Sequence, residues 1–563
     1  VQANNLHPFL YASSKQDVQQ EGPEIMEQQH AKRSDQRKYY LTTAIDYPNA
    51  EPHIGHAQEK VAADALARYR RLRGDDVYLS MGLDENSQHV LKAAEAHGVS
   101  LPEWITYIDQ VFRLAWAKLE IGYDRWIRTT EEAHFRAAQE MFLRAQERGD
   151  VYKATYAGWY CPACNTFYRD EELVDGSCAD HPAAALEWIE EENYFFALSR
   201  YSEQLLAYIA THPHFINPPT RLTEVISFFH QGLRDFSISR RLDPRRPIWG
   251  VPVPGDPDQV IYVWFDALTS YLTAAGFPDN GALFAHYWPA DVHVIGKDIV
   301  RFHCLYWPAM LLSANLPLPK QISVHGHLTL GGKKISKSAG HTISPVALVD
   351  EFGADAVRYY LLRTLSFGSD GDFSRAGLIQ HYNDELAKDL GNLLNRVVSM
   401  LERYHHGHIP RAGTPTALEE EVQRAAEQAR RDAEKALEHW EMARALESIW
   451  GLVRHMNRYL EQSAPWRLTS PAREARLDTI LATAVEALRL LAIYLAPFIP
   501  AASARMLGQL GQPAVQPGDW GTRGAWGATY VGSLGERVIL FARQEESECA
   551  GSEGDRLKPT SAS

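Results

Sequence analysis

The chain has 563 residues, a formal net charge of −14, 45% hydrophobic and 23% charged residues. Such a length exceeds what one hydrophobic core serves, so several structural units are expected in an ordinary soluble, globular composition. No apolar run reaches the ~18 residues of a membrane-spanning helix, and the acidic balance lends no support to a nucleic-acid partner.

Val1 to Arg37 is polar and lacks a basic segment followed by an apolar core. It reads as a disordered extension rather than a secretory signal, and the chain as cytoplasmic. From Lys38 the character changes. Lys38 to Asp46 is rich in aromatic and β-branched residues and reads as a buried strand. Two prolines break it, and His53 to Gly74 reads as a helix. Val77 to Met81 reads as the next strand, which completes a βαβ unit of a parallel sheet.

After Glu147 the pattern changes again. Tyr152 to Pro182 has few apolar runs and three of the five cysteines. Cys161-Pro-Ala-Cys164 and Cys178-Ala-Asp-His181 offer two chelating pairs, a pattern suited to one structural, tetrahedral zinc in a reducing compartment. Strands resume at Val260–Phe265, His293–Gly296 and Gln321–His325. A nucleotide-binding sheet split by an insertion is therefore expected. From about Asn383 the spacing is helical through Ala417–Tyr459 and Leu477–Leu495, which implies an antiparallel bundle. Beyond Gly511 the chain is rich in Gly, Pro and Ser, with one further strand expected at Arg537–Phe541.

Two stretches carry phosphate chemistry. His53-Ile-Gly55-His56 stands at a helix N-terminus, where free N–H groups and the helix dipole attract anions. Gly331-Gly-Lys333-Lys334-Ile335-Ser336-Lys337-Ser338 has the glycines and lysines of a loop that closes over a triphosphate. Alone, the first reads as readily as a pair of ordinary surface histidines, and the second reads more readily as a solvated basic turn. Together, in this order and at this distance, they resemble the HIGH and KMSKS signatures of class I aminoacyl-tRNA synthetases, with Ile335 where Met is commonest.

Four stretches sharpen the resemblance to methionyl-tRNA synthetases over about Lys38 to Leu510: TTAIDYPNAEPHIGH, IYVWFDALTSYL, VIGKDIVRFHCLYWPAML and KKISKS. The resemblance implies an α/β fold: a Rossmann-type parallel-sheet catalytic domain split by a zinc-knuckle connective insertion, followed by an all-α anticodon-binding bundle. The expected boundaries are 1–37 for the extension, 38–147 and 256–340 for the catalytic halves, 148–255 for the insertion, 341–385 for a stem-contact linker, 386–510 for the bundle and 511–563 for a partly disordered tail.

It implies a methionine–tRNA ligase that uses ATP with Mg2+, L-methionine and initiator and elongator tRNA(Met), acting as a monomer away from membranes. His53, His56, Lys334 and Lys337 are the implied catalytic residues, joined by Gly55 and Ser336 in binding ATP. Asp84 would meet the methionine ammonium. Ile45, Tyr47, Trp264, Ala267, Tyr271, Ile299 and His303 would line the thioether pocket, with Tyr47 and His303 donating to sulfur. Asn392, Arg396 and Trp466 would contact the anticodon. Asp46, Leu268 and Asn86-Ser87 depart from the family's pattern beside the pocket. Two rival readings are a class I synthetase for another amino acid and an RNA-binding scaffold on a synthetase fold.

Overall fold

In the computed structural model the described residues are 36–161, 166–168, 170, 173–179, 182, 184–242, 249–334, 342–364, 367–468, 470, 473–528 and 531–545. The chain divides into two units, Val1–Arg37 and Lys38–Ser563. The expected disorder of the first and of the last residues lies outside the described residues.

Six parallel strands form the central sheet. In chain order they are β1 (Lys38–Thr43), β2 (Asp76–Leu83), β3 (Arg125–Arg128), β4 (Ile216–Asn217), β5 (Val292–Gly296) and β6 (Ile322–His325), and the spatial order is β3-β2-β1-β5-β6-β4. Leu41 of β1 faces Leu79 on one side and Val292 on the other. Because side chains alternate along a strand, Tyr39 and Leu41 enter one core and Tyr40 enters the other. The edge strand β4 comes from the segment between β3 and β5, inside the stretch expected to be wholly an insertion.

Helix α1 (Ile54–Arg73) connects β1 to β2. His53 caps its start, and Gly74 ends it at φ 94° with its N–H on the Arg70 and Arg71 carbonyls. That left-handed turn is open to glycine without a Cβ penalty. Arg70, Arg71 and Arg73 complement the helix dipole in the last turn.

Between β3 and β5 a long antiparallel ribbon, Val151–Cys161 against Glu187–Phe196, stands apart from the central sheet. The expected strand Val260–Phe265 is corrected. A strand Asp256–Ile261 belongs to a separate three-stranded sheet, and helix α2 (Val263–Ala274) begins two residues later. An apolar run lacks the alternation that separates strand from buried helix.

Helix α3 (Ala354–Thr364) leads towards the bundle of α4 (Asn392–His405), α5 (Ala417–Glu438), α6 (Met442–Ser463) and α7 (Glu474–Leu495). Its apolar faces merge with the α1 side of the sheet into one core. The strand expected at Arg537–Phe541 is not formed. That segment runs irregularly along α4, with Leu540 and Phe541 buried and Ile539 82% exposed, so no strand alternation exists to pair. Among the described residues no helix is long and apolar enough to cross a membrane.

Candidate active site

The first turn of α1 is built by its two histidines. His53 Nδ1 accepts the Gly55 N–H at 3.1 Å, and His56 Nδ1 accepts the His53 N–H at 3.1 Å, a reciprocal capping box. A neutral imidazole that accepts at Nδ1 carries its proton on Nε2, the tautomer a phosphate oxygen accepts from. The rings lie 3.9 Å apart. A Cβ at Gly55 would sit 3.0 Å from the His53 ring, so glycine is what lets His53 fold back as the cap.

The described flanks of the second signature lead to the same place. Lys333–Lys334 forms a short strand against Leu328–Leu330, directly after β6. Ser336, Lys337 and the rest of 335–341 lie outside the described residues, as do the side chains of Lys333 and Lys334. Two residues before the helix that begins at Pro345 on the loop's far flank, the Ile343 carbonyl accepts the N–H of Ile54 at 2.9 Å. The loop thus leaves from the end of β6 and comes back onto the first turn of α1. At its root, His325 donates to the Gly326 carbonyl at 2.8 Å and meets Glu59 of α1 at 2.9 Å. Burial works against the Glu59 carboxylate, but Lys60 and His325 more than offset it and hold its pKa below the usual range.

Asp84 lies just past β2, 2% exposed, with its N–H on the Asp46 carbonyl at 2.9 Å. One carboxylate oxygen is buried without a partner. Burial and the neighbouring Asp266 push its pKa well above the aspartate range, against the pull of the Asn86 N–H. The carboxylate thus lacks a cation among the described residues.

Trp264, Ala267 and Tyr271 share one face of α2 at i, i+3 and i+7. Trp264 stacks on Phe302 at 3.7 Å, and Tyr47 meets its edge at 6.4 Å. Phe302 opens a π-helical turn, Phe302–Tyr306, that also presents His303. Partly buried Ile299 supplies the carbonyl that accepts His303 Nδ1–H at 3.0 Å. Ile45 is partly buried in the same segment as Tyr47.

The expectation that His303 donates to sulfur is corrected. Its Nδ1 proton is committed to a carbonyl, so in the neutral ring Nε2 accepts from the Tyr271 hydroxyl at 2.7 Å. Burial lowers its pKa to about 4, which keeps it neutral. An unfolded chain takes up this proton from about pH 6.5 downward, while the folded chain resists until about 4. Stability is therefore lost as pH falls through that window, by up to about 3 kcal/mol. His303→Gln should flatten the fall in urea midpoint between pH 7 and 4.5; the same slope in both proteins would refute a neutral buried imidazole.

The departures from the family pattern have local answers. Asp46 pairs with buried Lys60 at 3.3 Å, and Lys60 also donates to the Ala44 carbonyl and to Glu59, both at 2.7 Å. Ser87 caps the helix Gln88–His97 by accepting the His89 N–H at 3.1 Å. Leu268 is a core residue, 2% exposed.

Asn86 was not among the expected site residues, nor were Asp266, His134 and Phe302. The Asn86 amide donates to Asp266 at 2.7 Å, and the other Asp266 oxygen meets His134 Nε2 at 2.7 Å, both Asp266 and His134 being fully buried. An acidic residue inside the apolar run VWFDAL was the available signal for Asp266.

In the bundle, Arg396 lies over the Trp466 ring at 5.8 Å, and Trp466 is 43% exposed. Asn392, exposed, stands one turn before Arg396 on α4. The three expected anticodon residues therefore share one solvent-facing surface. Cys161 and Cys178 are both fully buried thiols, at the end of the ribbon and beside the Val174–Ser177 turn. Cys164 and His181 lie outside the described residues, and among the described residues no group of three or more metal-ligating side chains forms.

A family model described as tRNA synthetases class I (M) matches residues 39–185 and 181–398, and one described as the anticodon binding domain of methionyl tRNA ligase matches 409–527. The methionine–tRNA ligase of Caldanaerobacter subterraneus subsp. tengcongensis is 43% identical over 477 residues, 84% of this chain and 74% of that protein. That of Mycobacterium leprae is 44% identical over 84% of this chain and 90% of its own length. The Mycobacterium tuberculosis methionyl-tRNA synthetase in complex with methionyl-adenylate superposes with a TM-score of 0.86 at 41% identity, over 90% of this chain and all of that one. Capped histidine turn, returning loop and helical bundle are thus joined by sequence likeness across nearly the whole described chain, which belongs to the methionyl class I tRNA synthetases.

Proposed function

We propose that this protein is a methionine–tRNA ligase, which activates L-methionine with ATP and transfers it to the terminal adenosine of tRNA(Met), initiator and elongator alike. The observation that carries the reading is the hydrogen bond from Ile54 N–H to the Ile343 carbonyl, which brings the flank of the lysine loop onto the histidine turn. Just past β2, buried Asp84 supplies an acceptor for an ammonium group.

The methionine carboxylate attacks the α-phosphorus of ATP; pyrophosphate leaves and methionyl-adenylate forms. The 2′-hydroxyl of the terminal adenosine then attacks the adenylate carbonyl and releases AMP. His53 and His56 donate to phosphate oxygens, with the amide of Gly55 close by. Lys334 and Lys337 balance the charge that builds on the departing pyrophosphate, the Ser336 hydroxyl helps to bind ATP, and Mg2+ would accompany the nucleotide. No side chain needs to act as a nucleophile, so positioning and electrostatics carry the rate. Ile45, Tyr47, Trp264, Ala267, Tyr271, Ile299 and His303 surround the thioether. Tyr271 and His303 form a closed pair there, which gives the sulfur an aromatic wall rather than a strong donor. Asn392, Arg396 and Trp466 read the anticodon by edge contacts and stacking. Cys161, Cys164, Cys178 and His181 would hold one zinc, which would brace the ribbon's end. Fully buried Cys161 and Cys178 suit such a ligand pair.

ATP–pyrophosphate exchange measured over all the amino acids tests the reading. Exchange with methionine alone is expected. Exchange with a different amino acid would favour another class I specificity, and none at all would favour a scaffold. Lys337→Ala is expected to slow exchange at least ~100-fold while methionine binds within about twofold of the parent; normal exchange would remove Lys337 from the mechanism.

A further inference from the structure

Around Asp84 the fold leaves more than one buried polar group waiting. Asn86 is 8% exposed, and its amide nitrogen donates to Asp266 Oδ2 at 2.7 Å and to the Thr129 carbonyl at 3.0 Å. A main-chain carbonyl only accepts, so the orientation of the amide is settled by chemistry: nitrogen towards Thr129, oxygen the other way. That oxygen is buried and has no partner. The backbone N–H of Asn86 meanwhile bonds the Asp84 carboxylate. Two unpartnered acceptors, Asp84 Oδ1 and Asn86 Oδ1, therefore sit two residues apart on one turn at the end of β2. A native fold rarely leaves such atoms empty-handed without a ligand to fill them.

We infer that Asn86 Oδ1 is a second acceptor for the substrate's α-ammonium group, so that Asp84 and Asn86 grip it together and select a primary amine. This rests on the methionine reading above and deepens it. An ammonium brings three donors and no acceptor, so one carboxylate cannot satisfy it. A neutral acceptor suits this turn better than another acid would. Asp84, Glu85 and Asp266 already gather three carboxylates there; Glu85 pairs with Arg128 at 2.7 Å, and Asp266 is hydrogen-bonded to His134. A fourth charge would add repulsion, whereas an amide oxygen adds only an acceptor. Because Asn86 also donates to Asp266, it ties the ammonium grip to α2, the helix that carries Trp264 and Tyr271.

The test compares two inhibitors of methionine-dependent pyrophosphate exchange. Methioninol keeps the ammonium and lacks the carboxylate; 4-(methylthio)butanoate keeps the carboxylate and lacks the ammonium. Asn86→Ala is expected to weaken methioninol about tenfold to a hundredfold, the size of one hydrogen bond to a charged group, and to leave the butanoate within about twofold. Equal weakening of both would mean that Asn86 only shapes the pocket, and no change in either would mean that it does not touch the ligand; each overturns the inference. Should the variant not fold, a crystal of the unaltered protein with methioninol decides: an Oδ1-to-nitrogen distance within about 3.2 Å upholds the contact, and one beyond about 4 Å overturns it. A parent protein without methionine-dependent exchange would instead bring down the ligase reading itself.

Discussion

Asp84→Asn is expected to lower kcat/KM for methionine in pyrophosphate exchange by roughly thirtyfold to several thousandfold, the effect of removing one member of a desolvated charge pair. The carboxylate is 2% exposed, one of its oxygens is unpartnered, and no lysine or arginine is paired with it among the described residues. The substrate is thus the cation that this site lacks. Stability should move the other way. Burial, with Asp266 beside it, raises the Asp84 pKa well above the usual value. A raised carboxyl pKa stabilises the fold at low pH and loses that contribution as pH rises towards the folded pKa. Asparagine does not titrate, so the ligand-free variant should melt at or above the parent at pH 7.5 and show a flatter dependence on pH. An unchanged KM for methionine, or a variant that melts lower without ligand, would show that Asp84 is a structural group with its own partner. The opposing signs are the mark of a binding residue held at a cost to the fold.

How much of this was open to reading in the sequence depended on distance along the chain. The turn at His53 to His56 was legible because capping is local: cap, glycine and second histidine fall within four residues. The strand–helix–strand order from Lys38 to Leu83 and the helical character of the bundle are legible from periodicity, which needs no partner, but the turn at 439–441 that splits Ala417–Tyr459 into α5 and α6 is not. Val260 to Phe265 was misread because its apolar run has neither period, and only the break at Tyr262 turns strand into helix. Asp46 stands out in the sequence only as a departure from the family's pattern, because its partner Lys60, fourteen residues on, meets it only in space. Asp266 and His134 lie 132 residues apart and Asn86 and Asp266 lie 180 apart, so no spacing rule could join them. Tyr271 and His303 are each expected at the pocket, but the proton arrangement between them follows from the Ile299 carbonyl, which ends a 3-10 turn one helical turn before His303. Arg537 likewise gave no local sign that it would reach Asn395 and Glu402 rather than sit in a strand.

Arg358→Leu carries the largest expected effect on the fold. Arg358 of α3 is fully buried. It pairs with Asp64 of α1 at 2.7 Å and donates to the carbonyls of Phe498, Leu119 and Pro497 at 3.0, 3.1 and 3.0 Å. One guanidinium therefore joins the helix that carries the histidine turn, the end of the helix before β3 and the end of the last long bundle helix. Leucine fills part of the volume but leaves a buried carboxylate and three carbonyls short of a donor. Breaking a buried pair from one side costs about 3–5 kcal/mol, a large share of the ~5–15 kcal/mol that holds a native domain. Asp64 keeps Arg68 at 2.7 Å and the Gly122 N–H at 2.8 Å, so the loss should fall in the lower half of that range. Arg358→Lys should be intermediate, because one ammonium cannot reach the fork of acceptors that a guanidinium spans. Adding Asp64→Leu to Arg358→Leu should recover part of the loss, since the uncompensated charge goes while the three carbonyls remain unpaired. Urea unfolding of the four proteins checks this. An Arg358→Leu loss under about 1 kcal/mol, or a double variant less stable than Arg358→Leu alone, would show that the bundle is held to α1 by apolar packing alone and that the Arg358 clamp is dispensable.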